Sequence, residues 1–182
     1  MRKGLRFLLA AALAALVAVP MAAAADVATH GDRHARVSHQ DKMFMTDAAE
    51  GALFEVQAGA LAAKKGASPQ TRAFGRRMVR DHSREYAELA RLAHRLGVDI
   101  PDEPSEQQQQ AIALWRQLSG KAFDCAYIPY EVVDHMLDIE HNKTEVEQGH
   151  NPKVRHFAAR WLSVLQSHLD QAEEVLADLH TC

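Results

Sequence analysis

The chain contains two segments with the same order of turn and helix-start residues, GASPQTRAF at 66–74 and GHNPKVRHF at 149–157, a spacing of 83. In each, a glycine precedes a residue that caps free helix amides, Ser68 or Asn151, and a proline suited to the first helical position. Each segment therefore predicts the turn of a helical hairpin, because so short a connection requires antiparallel neighbours. Two related hairpins joined by a longer link predict an antiparallel four-helix bundle.

Apolar residues recur at helical spacing before and after each of these turns. The stripe that follows Ser68 consists of Phe74, Met78, His82, Tyr86 (or Glu85), Leu89, Ala93 and Leu96. Steps of three and four place such residues on one helix face, and strand-like alternation is absent throughout the sequence. The pattern predicts an all-α fold whose long helices lie at about 42–65, 68–96, 121–148 and 151–179.

Glycine and proline positions carry more specific expectations. Gly66 is expected to end the first helix in the left-handed conformation. Residues 98–121 form the longest connection, and a short helix within it is expected to end at Gly120. Pro129 predicts a kink in the third long helix, or a helix start displaced towards the proline.

The N-terminal segment differs from the rest in composition. Residues 1–25 combine a basic start, an apolar run that stops at Pro20 and a small-residue end, which is the pattern of a cleaved secretory signal peptide. The apolar run is shorter than the roughly 20 residues that span a bilayer. Residues 26–41 are polar and lack periodicity, and they predict a flexible tail. The bundle domain is expected at 42–182, in an exported, periplasmic protein for which association with the outer membrane stays open.

Composition narrows the classes of partner and of activity. The net charge of −3 gives no support for nucleic acid or a charged membrane surface as the partner. No later segment of the sequence is apolar enough to span a bilayer. The sequence has no nucleophile motif, glycine-rich phosphate loop or Cys-x-x-Cys, and it therefore assigns no catalytic residue. A homo-oligomer or a protein partner in the cell envelope is compatible with this composition.

The chain has two cysteines, Cys125 and Cys182. In an oxidising compartment they can pair. Whether Cys182 reaches Cys125 depends on the geometry of the fold. A bond within the chain, a bond between chains and free thiols are therefore all open.

Four polar residues occupy the apolar stripes of the long helices. They are Glu55, His82, His135 and His168. With a rise of about 1.5 Å per residue, the first two each lie roughly 20 Å from the first turn, and the other two lie roughly 25 Å from the second. All four are expected near the middle of the bundle. One carboxylate and three imidazoles at one level predict a transition-metal ion as the cofactor.

The same residues have a second interpretation. Buried neutral histidines hydrogen-bonded to Glu55, Glu85 or Tyr86 would form a structural polar network. A carboxylate-rich di-iron centre is disfavoured, because the only Glu-x-x-His match in the sequence, Glu147 to His150, lies at a turn. The function is therefore either metal binding, with a link to stress, or that of a metal-free structural or interaction module.

Two charge series have a period of seven residues. Arg77, Arg84 and Arg91 lie in the second long helix, and Glu131, Asp138 and Glu145 lie in the third. This spacing predicts that the two series pair across helices two and three and help to fix their alignment.

Several ordered segments resemble one bacterial family. They are FMTDAAEGALFEVQAGALAAKKGASPQTRAFGRRMVRDH, LAHRLGVDIP, LSGKAFDCAY, VVDH and LQSHLDQAEEVL, within residues 43–179. In this order they resemble the exported family called domain of unknown function 4142, which is classed with ferritin-like bundles and whose members are labelled as outer-membrane or periplasmic proteins. The resemblance implies a ferritin-like fold and export, and it carries no reaction. Cys125 stands where arginine is common in the family, and Pro129 is also a departure.

Overall fold

The structure, a computed structural model, describes residues 36–179 and residue 182. The predicted signal peptide and most of the predicted tail, residues 1–35, lie outside the described residues. The helices of the described part are α1 (His39–Lys65), α2 (Pro69–Leu96), α3 (Glu106–Trp115), α4 (Gly120–Gln148) and α5 (Pro152–Asp178). The fold is an all-α, ferritin-like bundle of four long helices, with the short α3 in the connection between the two hairpins.

Side-chain caps determine where the helices begin. Ser38 accepts a hydrogen bond from the Asp41 amide, and the Asp41 carboxylate accepts one from the Ser38 amide, so that α1 begins at His39 rather than at the expected 42. Ser68 caps α2 by accepting from the Thr71 amide, and a proline follows in the first helical turn. Asn151 caps α5 in the same way. The two helix starts predicted from the repeated segments are confirmed.

Two of the glycine expectations were wrong, and one of the two alternatives for Pro129 is excluded. Gly66 has a φ of −60°, so the chain leaves α1 in an extended conformation, and Gly97 after α2 has the left-handed φ of 65°. Gly120 does not end α3, which stops at Trp115. It is the first residue of α4, with a φ of 61°. Pro129 lies inside α4, nine residues after the helix begins, so it does not displace the start.

Two aspartates determine how the hairpins meet. The amides of 67–68, in the turn between α1 and α2, donate to the Asp124 carboxylate near the start of α4, at 3.0 and 2.9 Å. The amides of 150–151, in the turn between α4 and α5, donate to Asp41 near the start of α1, both at 2.9 Å. Asp41 and Asp124 are themselves 83 residues apart, as the two prolines are. The two turns therefore lie at opposite ends of the bundle, and neighbouring helices run antiparallel.

Two apolar clusters fill the ends of the bundle and leave a polar middle. One contains Phe54, Phe74, Trp115, Phe123 and Tyr127, and the other contains Phe44, Leu89, Val154, Phe157 and Trp161. Each large buried side chain contributes about 1.5–3 kcal/mol through removal from water. Along α2, His82 lies between residues of the first cluster and residues of the second. The polar centre is thus enclosed by apolar packing on both sides.

Two glycines allow close packing of α1 against α2, and a disulfide links α4 to the C-terminal residue. A Cβ on Gly59 would lie 2.6 Å from the Gly75 carbonyl oxygen, and a Cβ on Gly75 would lie 2.5 Å from that of Gly59. The backbones of α1 and α2 therefore approach each other more closely than any other residue type would permit. Cys125 in α4 forms a disulfide with Cys182. Of the three alternatives for the cysteines, the structure therefore has the bond within the chain, and not a bond between chains or free thiols.

A buried carboxyl at the second turn gives the fold a pH dependence. Glu145 is fully buried. Burial and the neighbouring Asp41 raise its pKa from the usual 4.5 to about 8. Between these two values the folded state binds this proton more tightly than the unfolded chain does. The free energy of unfolding therefore falls as the pH rises through that window.

We expect Glu145→Gln to flatten this dependence, because the amide does not titrate. The measurement is urea unfolding of the chelator-treated protein between about pH 7 and 8, a range in which an unfolded histidine, with a usual pKa of about 6.5, is mostly neutral. The wild type should lose stability across the range, and the variant should lose less. Glu140→Gln, at an exposed position of the same helix, is the control. Parallel pH profiles for the wild type and Glu145→Gln would contradict the assignment.

Candidate metal centre

Three helices bring one histidine each to the middle of the bundle. His82 of α2, His135 of α4 and His168 of α5 are buried, and one ring nitrogen from each lies within 4.8 Å of the others. We call these residues the histidine triad. The remaining predicted residue, Glu55 of α1, belongs to an adjacent group in which one ligand atom from each of Glu55, Glu131 and His135 also lies within 4.8 Å of the others. The four predicted residues therefore converge as two groups that share His135.

Each ring of the histidine triad is oriented by an acceptor on one of its nitrogens. The pairs are His82 Nδ1 with the Glu85 carboxylate at 2.7 Å, His135 Nδ1 with the Glu131 carbonyl oxygen at 2.9 Å, and His168 Nε2 with the Asp81 carboxylate at 3.1 Å. An acceptor on one nitrogen fixes the proton there and leaves the lone pair on the other nitrogen. Histidines that bind metals are held in this manner.

Two arginines favour the ionised form of Asp81, the residue whose carboxylate accepts from His168. Arg80 contacts both oxygens of Asp81, at 2.9 and 3.1 Å, and Arg77 reaches it at 3.4 Å. Burial alone would raise the pKa of Asp81, but the hydrogen bonds from Arg80 and His168 outweigh it and lower the pKa to about 2. Asp81 is ionised at neutral pH and can only accept a hydrogen bond from His168.

The chain of contacts from Glu131 to Asp81 is one proton short. Burial, together with the charges of the other histidines, lowers the pKa of His135 well below its usual value and that of His168 to about 3, so both rings are neutral at pH 7. Two neutral rings supply two N–H protons. Three contacts each need a proton. They are His135 Nδ1 with the Glu131 carbonyl, His168 Nε2 with the Asp81 carboxylate, and His135 Nε2 with His168 Nδ1, which lie 3.3 Å apart. A positive species between those nitrogens would satisfy the third contact.

The separation of these two nitrogens matches that of ligands on one metal ion. Two imidazole nitrogens on a tetrahedral zinc, with bonds of about 2.0–2.1 Å, lie roughly 3.3 Å apart. The Nε2 atom of His82 is buried and has no hydrogen-bond partner. It completes a set of three nitrogens whose lone pairs are not used by any protein donor.

The second group has unpartnered oxygens instead of nitrogens. Glu55 and Glu131 are fully buried, and none of their four carboxylate oxygens has a hydrogen-bond partner. Burial is the first cause that raises the pKa of each, and the negative charge of Glu131 further raises that of Glu55. The hydroxyl of Tyr127 is also buried, makes no well-formed hydrogen bond, and lies close enough to Glu131 for each group to shift the pKa of the other. We call Glu55 and Glu131 the carboxylate pair.

Glu131 was missed as a site residue because the heptad spacing assigned it to a charge series. That pairing prediction was wrong. Arg77 bonds the Gln171 side chain and Ser167 on α5, and Arg84 lies over the ring of Trp161 at 5.1 Å. Helices α2 and α4 lie diagonally across the bundle, so their outer faces do not meet. The signal for Glu131 was its spacing of four residues before His135, which places both on one helix face.

No helix in the described part of the chain combines the length and the apolar character needed to cross a membrane. A comparison with curated proteins found no match. Among solved structures, the crystal structure of a DUF305 fragment from Deinococcus radiodurans is similar, with a TM-score of 0.68 and 10% sequence identity, over 79% of this chain and 99% of that chain. At this identity the likeness concerns the fold alone. The family described as "Domain of unknown function (DUF4142)" matches residues 26–175, and the chain therefore belongs to that family.

Proposed function

We propose that this protein binds one transition-metal ion through the histidine triad. The observation that carries the proposal is the convergence of three oriented, buried imidazoles with no donor between them. His135 Nε2 and His168 Nδ1 lie 3.3 Å apart, and His82 Nε2 has no partner. A purely structural network of neutral histidines would leave one of these contacts without a proton, whereas a bound cation satisfies all of them.

Imidazole ligands favour zinc, copper and nickel among the divalent ions. Three protein ligands on a tetrahedral ion leave a fourth position for water or another small ligand. The apolar clusters on either side restrict what can occupy it. The proposed role is therefore the holding of a metal ion within the bundle, in the context of metal stress, and it includes no reaction.

Export is a separate part of the proposal. We infer that the chain is secreted to the periplasm, with removal of residues 1–25. Support comes from the basic and apolar N-terminal pattern and from the disulfide between Cys125 and Cys182, since such bonds persist in oxidising compartments.

The test of metal binding uses untagged protein stripped with a chelator and then dialysed against Zn²⁺. We expect one zinc per chain by mass spectrometry, and a gain in unfolding free energy of about 2.7 kcal/mol at a free zinc concentration of 100 times Kd. His82→Ala and His168→Ala should lose both the ion and the gain.

Controls separate the triad from other histidines. His94→Ala, on an exposed part of α2, and a variant with His30, His34 and His39 all changed to alanine should retain the ion. Substoichiometric zinc that responds to neither triad substitution would favour the metal-free structural or interaction module instead.

The tautomers of the triad provide a second test. In the metal-free protein at pH 7, we expect the proton of His135 on Nδ1, where it donates to the Glu131 carbonyl. Long-range ¹H–¹⁵N correlation spectra distinguish the two ring nitrogens directly. Zinc should shift the Nε2 resonance of His135 and leave its Nδ1 protonated. A proton on Nε2 in the metal-free protein would contradict the proposed ligand atom.

Export has its own measurement. Expression of the full chain in a bacterial host followed by cell fractionation should place the protein in the periplasm, with a mature N-terminus at Asp26. Replacement of Arg2, Lys3 and Arg6 by glutamate should retain it in the cytoplasm, because the basic start is required for export. An intact N-terminus at Met1 in the cytoplasm of cells that express the wild-type chain would refute export.

A further inference from the structure

The carboxylate pair lies against the histidine triad and has different ligand chemistry. Glu55 comes from α1 and Glu131 from α4, and both side chains are fully buried. An ionised carboxylate is costly in an apolar interior, and burial accordingly raises the pKa of both Glu55 and Glu131 and favours their neutral forms until a cation binds. One carboxylate oxygen of Glu131 lies 3.8 Å from Nδ1 of His135, which is beyond hydrogen-bond distance.

Backbone amides and arginines, which satisfy other buried carboxylates of this fold, do not hydrogen-bond this pair in the described part of the chain. Asp41 and Asp124, by contrast, each accept backbone amides, and Asp81 is contacted by arginines. None of the four carboxylate oxygens of Glu55 and Glu131 makes a well-formed hydrogen bond, and the two carboxyls and the Tyr127 hydroxyl lie close enough to shift one another's pKa. A cluster of oxygens without well-formed hydrogen bonds therefore lies in the middle of the fold.

The ligand atoms of this group lie close together. One oxygen of Glu55, one of Glu131 and one ring nitrogen of His135 lie within 4.8 Å of one another. Two ligands on opposite sides of an ion with bonds of about 2.1 Å lie about 4.2 Å apart. Because His135 Nδ1 donates to the Glu131 carbonyl, its ring forms the wall between the two sites, and the oxygens are the ligands.

We propose that Glu55 and Glu131 hold a second divalent cation, one that prefers oxygen ligands, beside the ion of the histidine triad. Two carboxylates balance the charge of one divalent ion, and carboxylate oxygens favour Mg²⁺ and Mn²⁺ over the ions that imidazoles select. Tyr127 is placed to add a further oxygen. The inference adds a second ion to the proposed function. The His135 ring lies between the two sites and supplies a ligand atom to the histidine triad only.

The experiment loads the chelator-treated full-length protein with Zn²⁺ and Mn²⁺ together, removes free ions and counts each metal by mass spectrometry. The wild type should retain one zinc and one manganese per chain. Glu55→Gln and Glu131→Gln, which keep side-chain size, should retain zinc and lose manganese. Glu140→Gln, at an exposed glutamate on α4, is the matched control and should retain both. Circular dichroism establishes that each variant is folded, and the two single variants provide independent readings.

A spectroscopic arm locates the manganese. With Cu²⁺ in place of Zn²⁺, the Mn²⁺ resonance in electron paramagnetic resonance spectra should broaden, because the two sites lie on either side of the His135 ring. His168→Leu, which removes a triad ligand, should abolish the broadening while manganese remains bound.

The outcomes separate the two proposals. Zinc without manganese in the wild type, or manganese that persists in both glutamine variants, would overturn the second site and leave the histidine triad intact. Manganese that depends on Glu55 and Glu131 in a protein that binds no zinc would support the second site and overturn the triad. The absence of both metals would overturn both.

Discussion

A single line of buried polar contacts holds the polar centre together and determines where three helices lie relative to one another. It runs from Arg80 to Asp81, then to His168 and to His135, and ends at the carbonyl of Glu131. The line joins α2, α5 and α4 at one level, so displacement of any of these helices along its axis would break a buried contact. Burial of polar groups makes such contacts costly to lose, which gives the bundle a defined alignment as well as a candidate ligand set.

The same centre depends on the apolar ends of the bundle. Clusters around Phe74 and around Trp161 exclude water from the middle, and the removal of water is the first cause of the lowered pKa values of His135 and His168. A more open bundle would hydrate these rings and weaken the preference for a neutral state with free lone pairs. Apolar packing and the protonation state of the buried histidines are therefore coupled in this fold.

The sequence predicted structural features that depend on local, repeated residue patterns. It did not predict features that depend on contacts between distant segments. Helix starts at Ser68 and Asn151 followed from capping residues next to prolines, and the level of His82 followed from its distance to the turn. The place of Glu131 in the site did not follow from the sequence, because Glu55, which lies beside it, comes from the other hairpin. The extended conformation of Gly66 also follows from a tertiary contact, since the next two amides donate to Asp124. The pairing of Cys125 with Cys182 could not be predicted for the same reason.

The disulfide has a consequence for how the centre assembles. It closes a covalent ring of residues 125–182 that contains His135 and His168 and excludes His82. In an unfolded but oxidised chain, the first two imidazoles remain tethered at a raised effective concentration, and the third is free to move away. An oxidised chain therefore holds two of the three candidate ligand residues within one covalent ring before it folds, and the third comes from the other hairpin.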